Sequence, residues 1–242
     1  MLENFIKSLK SSPKKSGIFN PWWESDKDND ISAQAPAIRR RQLFHYLSER
    51  AGKAKYLLLG EAIGYQGGHF TGIPMTSERI LLGGHKKRGI LPEHVFTGIK
   101  PKRTSKASLK PLGFTEPTGT IVWGEIAQTN FSPEDFVLWN AFPWHPFKPE
   151  SGLLSNRTPN MKEFLSSADI LMQLIQITGI KNIIAIGEKS YIVLNQLGVK
   201  SLKIRHPANG GATKFRKQFS DILAQVNKGK KYIILAEETI CP

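Results

Sequence analysis

Four short apolar runs constrain this chain more than any other feature in it. They are Tyr56–Gly60 (YLLLG), Phe136–Asn140 (FVLWN), Asn182–Gly187 (NIIAIG) and Leu202–His206 (LKIRH). Each is short, rich in branched residues, and ends in a polar or Gly-containing turn. The first three are nearly continuously apolar, the pattern of parallel strands covered on both faces. Helical stretches separate the later runs. SSADILMQLIQITG starts polar and stops at Gly179, and EKSYIVLNQLG stops at Gly198. Beyond the fourth run, Phe215, Phe219, Ile222, Leu223 and Val226 share one helix face. Strands alternating with helices predict an α/β fold around a parallel sheet. KKYIILAEE, near the end, reads equally as a fifth strand or a packed tail.

The 242 residues suit one large domain or two small ones. Residues 1–30 read as an N-terminal arm: a short amphipathic start, then loop, with Trp22 and Trp23 packing it onto the body. Residues 31–242 read as a single domain. ISAQAPAIRRRQLFHYLSERAG predicts a helix with Pro36 near its start and Gly52 as its stop. Residues 85–120 interrupt the alternation with eight Lys/Arg against two acids, amid Gly, Pro, Ser and Thr. This reads as a long surface excursion, either a basic surface for phosphates or a solvated insertion.

Charge narrows the partner. The formal net charge is +14 and the pI is near 9.9, which favours a polyanion: nucleic acid first, an anionic membrane surface second. Cys241 is the only cysteine, so a disulfide within the chain and a Cys-based zinc or iron–sulfur site are excluded. No stretch approaches a membrane span and the N-terminus lacks a secretory pattern. A reducing compartment that holds nucleic acid, the cytoplasm, is expected.

In open parallel sheets, ligands bind beyond the carboxyl ends of the strands. Three of the four strands end in unusual polar sequence: GEAIGYQGGHFTGIP, NAFPWHP and HPANGG. The first is neither G-x-G-x-x-G nor a P-loop. The combination of Glu61, Phe70, Asn140 and His206 is more informative. A carboxylate can orient water, an aromatic can stack on a planar ring, an amide can read a base edge, and a His can stabilise an oxyanion. Such parts suit hydrolysis of a bond to a nucleobase. Taken singly, Glu61 could cap a helix, Phe70 could be core, and Asn140 could serve loop backbone. His69, His85, His94 and His145 lack metal-ligand spacing and read as surface or loop histidines.

Together these segments resemble the uracil-DNA glycosylase superfamily, in the bacterial branch nearest the family 4 enzymes. LLLGEAIG is similar to the family's first motif, GGHFTGIP to the segment bearing a stacking aromatic, VLWNAFPWHP with SNRTP to the strand-end Asn motif and its downstream Asn-Arg-x-Pro, and RHPANGG to the late His-Pro motif. The matches fall in the family's order between about residues 55 and 226. The resemblance implies a three-layer α/β/α sandwich with a central four-stranded parallel sheet. It implies a monofunctional glycosylase that flips a deaminated base, uracil first, out of DNA and hydrolyses its N-glycosidic bond. By family position Glu61 and His206 are catalytic, the first toward water and the sugar cation, the second toward the base oxyanion. Phe70 stacks on the base, Asn140 reads its edge, and Tyr65 excludes a 5-methyl group. Asn209, Gly210 and Gly211 approach the minor groove, and Lys214 and Arg216 meet phosphate. The expected partner is DNA, single- or double-stranded, bound by a monomer with no metal and no cofactor.

Departures from the family pattern bear on selectivity. The family 4 iron–sulfur cluster needs four cysteines, and this chain has one. Ile63 replaces the Pro of the first motif, the stretch to Phe70 is short and lacks a second acid, and the loop after His206 lacks a large apolar wedge. Two other functions therefore stand beside uracil release: a glycosylase for hypoxanthine or xanthine, and an inactive nucleic-acid-binding protein of the same fold. Glu61, Asn140 and His206 occurring together argue against the inactive form.

Overall fold

All four apolar runs form strands, and they lie in one sheet. The computed structural model describes residues 1–227. Its strands are β1 (Ile18–Phe19), β2 (Tyr56–Ala62), β3 (Phe136–Phe142), β4 (His145–Pro146), β5 (Asn182–Ile186) and β6 (Leu202–Ile204). Its α-helices are α1 (Leu2–Ser8), α2 (Ala35–Ser48), α3 (Gly68–Thr71), α4 (Glu78–Leu81), α5 (Pro117–Ala127), α6 (Met161–Ser166), α7 (Ala168–Thr178), α8 (Glu188–Gln196) and α9 (Ala212–Asn227). The main sheet has the order β3-β2-β5-β6 and every pairing is parallel. β3 is buried along its whole length and β2 over its first five residues. That unbroken burial requires helices on both faces, the three-layer α/β/α arrangement. No helix among the described residues is long and apolar enough to cross a membrane. The KKYIILAEE segment and Cys241 lie outside the described residues, as does the side chain of Val226.

As an edge strand, β3 has outward backbone groups that need partners. α2 and the turn after it supply two of them: the Tyr46 hydroxyl accepts from the Leu138 N–H at 2.7 Å, and Arg50, two residues past the helix end, donates from Nε to the Phe136 carbonyl at 2.8 Å. The fully buried Arg50 also donates to the carbonyls of Tyr46, His94, Val95 and Pro133. One side chain thus fastens the middle of the β2–β3 connection to its β3 end.

Residues 85–120 are not a plain solvated excursion. Ile90, Val95, Phe96 and Phe114 are buried, and the segment runs into α5, a helix absent from the sequence reading. The buried Glu78 carboxylate pins its middle, accepting from the Thr104 and Ser105 N–H groups at 2.8 and 2.9 Å and from the Ser105 hydroxyl. The arm is equally anchored. Trp22 is fully buried, donates to the Gly72 carbonyl at 2.9 Å, and stacks on Trp139. Trp23 is half-buried beneath the Arg40 guanidinium. Trp144 donates to the Leu9 carbonyl at 3.0 Å, and β1 pairs with β4 antiparallel.

Candidate active site

The register of the sheet sets the site. Gly60 on β2 lies opposite Asn140 on β3, Leu59 opposite Ala185 on β5, and Ile186 opposite Ile204 on β6. One step further along, Glu61, Gly187 and Arg205 occupy a single row at the carboxyl edge. The next residue, His206, packs on Gly187, where an added Cβ would come within 3.1 Å of the His206 Cβ. Two strand spacings, ~10 Å, separate β2 from β6, about the span of a nucleoside.

Asn140, one row back opposite Gly60, is the most telling residue of this edge. It is 1% exposed, and neither Oδ1 nor Nδ2 has a hydrogen-bond partner. Its amide lies over Gly60, where a Cβ would meet Oδ1 at 2.6 Å. Leaving a buried amide unpaired costs roughly 1–3 kcal/mol, which makes this a position where an outside partner would be strongly favoured. Beside it, Met75 reaches Gly60 with its sulfur and has φ +50°. The other non-glycine residue with positive φ among the described residues is Asn209, at +52°. Strained backbone of this kind gathers at functional sites, and here both instances flank the carboxyl edge.

His206 is held for donation. Its Nδ1 accepts from the Ala208 N–H at 3.1 Å, which leaves the proton of the neutral ring on Nε2. Burial, then the neighbouring Arg205 charge, push its pKa below the ordinary value, so the ring is a neutral donor at pH 7. The loop that follows is tight. Gly211 packs on the His206 carbonyl, leaving no room for a Cβ, and Gly210 has φ +73°. Arg205, His206 and Lys214 line a cavity of about 190 Å³. Arg216 is ion-paired with Glu125 of α5 at 2.9 Å.

Glu61 lies within β2 and is half-buried. It does not cap the next helix, whose cap is Gly67. Phe70, on α3, is fully buried. Phe114 stacks on its ring at 4.5 Å and the His69 ring lies 4.4 Å away, so neither face is exposed. Tyr65 is half-buried, meets Phe114 edge-on, and donates its N–H to Asn156 Oδ1 at 3.0 Å.

Three features escaped the sequence reading. Glu116, at the N-terminal boundary of α5, lies flat on Gly67 with its Oε2 closed off from water. Arg157 of the SNRTP segment grips Glu163 through two 2.8 Å bonds and the Gly17 carbonyl through a third. The third feature corrects the histidines. His69, His85 and His145 are buried, not surface residues. His69 and His145 meet Nδ1 to Nδ1 at 2.9 Å, with Asp26 at 3.1 Å from His69 Nε2 and the Ser155 carbonyl at 2.8 Å from His145 Nε2. That carbonyl only accepts, so His145 donates through Nε2 and takes its Nδ1 bond from His69. A further proton is then shared between Asp26 and His69. Burial foremost, then the nearby His69 charge, depresses the His145 pKa to about 3, consistent with the neutral ring this count requires. The chain of groups ties the arm to the residue before Phe70 and to the loop after Asn140. Among the described residues no group of three or more His, Cys, Asp or Glu could hold a metal ion.

No curated protein matches the chain. Among solved structures, the crystal structure of wild-type SMUG2 from Pedobacter heparinus superposes with a TM-score of 0.59 over 94% of this chain and 98% of that one, at 16% identity. That likeness is one of fold. The family model of the uracil DNA glycosylase superfamily matches residues 48–228, a stretch holding all four strands, Glu61, Asn140 and His206. By that match, which spans well over half of it, the chain belongs to the uracil DNA glycosylase superfamily.

Proposed function

We propose that the protein is a DNA glycosylase that hydrolyses the N-glycosidic bond of a flipped-out deaminated base, uracil first, as a step of base excision repair. The observation that carries this reading is the Asn140 amide, buried and unpartnered beside Glu61. A donor and an acceptor side by side match the N–H and C=O of a uracil edge, and burial makes a missing partner costly. Stacking on Phe70 requires its buried ring to be uncovered as the base enters. As the glycosidic bond breaks, the sugar gains oxocarbenium character and the base gains negative charge. The Glu61 carboxylate favours the cation and orients the attacking water. The His206 Nε2–H donates to the base oxyanion, and its neutral state avoids leaving an imidazolium to be discharged. Lys214 and the loop Asn209–Gly211 face the phosphates, and the protein acts as a monomer without a metal.

The test uses single- and double-stranded oligonucleotides carrying uracil, hypoxanthine or xanthine, followed by alkaline cleavage of abasic sites. Breaks at uracil are expected. Glu61→Gln and His206→Ala should each lower the rate by about 10²-fold with melting temperature preserved. Breaks only at hypoxanthine or xanthine would reassign the substrate. Salt-sensitive DNA binding without breaks at any base would leave a binding protein and end the enzymatic reading.

A further inference from the structure

Buried carboxylates in this molecule are otherwise well satisfied. Glu78 takes bonds from Thr104 and Ser105, and Glu163 from Arg157 and Asn160. Glu116 differs. It sits at the cap position of α5, yet its side chain caps nothing, and its Oε2 is closed off from water with no partner. The surroundings are cut to fit it. A Cβ on Gly67 would overlap the carboxyl group, and one on Gly119 would come within 3.1 Å of Oε2. Oε1 lies 3.7 Å from the Cβ position of Gly64, as does Nδ2 of Asn156. Two residues earlier, Phe114 stacks on Phe70. The segment Phe114–Glu116 therefore runs along the loop that joins Glu61 to Phe70.

We propose that Glu116 is a base-selecting residue whose carboxyl group donates to a ring C=O of the bound base, the ring N–H being taken by Asn140. This rests on the glycosylase reading above. In its protonated form the carboxyl group donates O–H to that C=O. Ionised, it has no donor and opposes both that C=O and the charge developing on the departing base. Burial alone raises the Glu116 pKa to about 7, with no charged neighbour contributing. Around it pack residues 64–67, Met75, Asn156 and its own helix. The titratable side chains on those elements are Tyr65 and, more than two turns along α5, Glu125, which is paired with Arg216, and His85 lies beyond, 3.5 Å from the Thr120 hydroxyl. Base release should therefore fall as pH rises through about 7, in the sense of a group that must hold its proton.

The experiment compares single-turnover base release by wild type, Glu116→Gln and Glu116→Ala from pH 5.5 to 9, on each of the three damaged oligonucleotides. Taking the ratio of wild type to Glu116→Gln at each pH cancels the titration of every other group. Glutamine keeps a donor and an acceptor, so that variant should match wild type at low pH and exceed it by about tenfold at pH 8.5, near the loss expected for an unmatched hydrogen bond. Alanine should weaken half-saturation at all pH values and change the ratio of rates among the three bases. Melting temperatures check that both variants fold. An active wild type whose ratio to Glu116→Gln stays flat with pH would overturn the proposal and leave the glycosylase reading intact. A wild type silent on all three bases would defeat that reading, and this proposal with it.

Discussion

On the proposed reading, Asn140 trades stability for chemistry. Its amide is buried at the end of a strand that could hold any apolar residue, with glycine rather than a larger neighbour beneath it. Asn140→Leu is close to isosteric and removes both orphaned atoms, a change that is neutral or stabilising at such a site. The melting temperature should stay level or rise, while base release falls by about 10²-fold or more. A loss of stability with activity retained would mean the amide serves the fold. The sequence marks Asn140 through its place at the end of an apolar run. Glu116 leaves no such mark, because one acid in a strongly basic, Gly/Pro-rich stretch reads as a solvated charge. Only the glycines packed around it reveal that it is enclosed.

The elements show a similar split between what local pattern carries and what distance hides. α6 begins with a reciprocal cap, Asn160 accepting from the Glu163 N–H and Glu163 from the Asn160 N–H. Glu163 also takes the Arg157 fork, and hydrogen bonding to Arg157 is the main reason its pKa is held down at about 2. A depressed carboxyl contributes its full stability above the unfolded value and loses it as pH falls through the folded one. Glu163→Gln should therefore lower the urea midpoint at pH 7 by the equivalent of about 2 kcal/mol. The gap to wild type should close between pH 4.5 and 2. A gap unchanged at pH 2.5 would refute the ion-pair account. The strands were legible because burial on both faces leaves an unbroken apolar run, and each lies within two residues of its expected ends. α5 was not, because Pro117, Thr118 and Gly119 open it with poor helix formers, and packing of Val122, Trp123 and Ile126 stabilises it instead. The Asp26, His69 and His145 chain was equally hidden, since no periodicity links residues so far apart.

At the scale of the whole molecule, some of the basic side chains behind the charge of +14 line two hollows, although in the first Lys203 is paired with Glu188. One is the cavity beside His206, lined by Lys203, Arg205 and Lys214. The other, about 600 Å³, is lined by Arg41, Lys100 and Lys102 over the apolar floor of Ile38 and Ile99. α2 and the turn after it run from that hollow to Arg50 at the start of β3, so the helix's first turns stand toward the carboxyl edge of the sheet. DNA binding should therefore weaken steeply with salt. Lys214→Gln and Lys100→Gln should each reduce the slope of log K against log salt by about one, measured by fluorescence anisotropy. A slope unmoved by both would detach these hollows from the binding face.

The Arg50 clasp has a kinetic side. β2 and β3 are neighbours in the sheet but distant in the chain. Closing a long connection is slow because its entropy is lost before the strand contacts repay it. By gathering carbonyls near residues 94, 133 and 136 onto the turn after α2, Arg50 lets that connection close as two shorter loops. Since closure entropy grows only logarithmically with length, the clasp stands to shape the speed of refolding as much as the depth of the folded well.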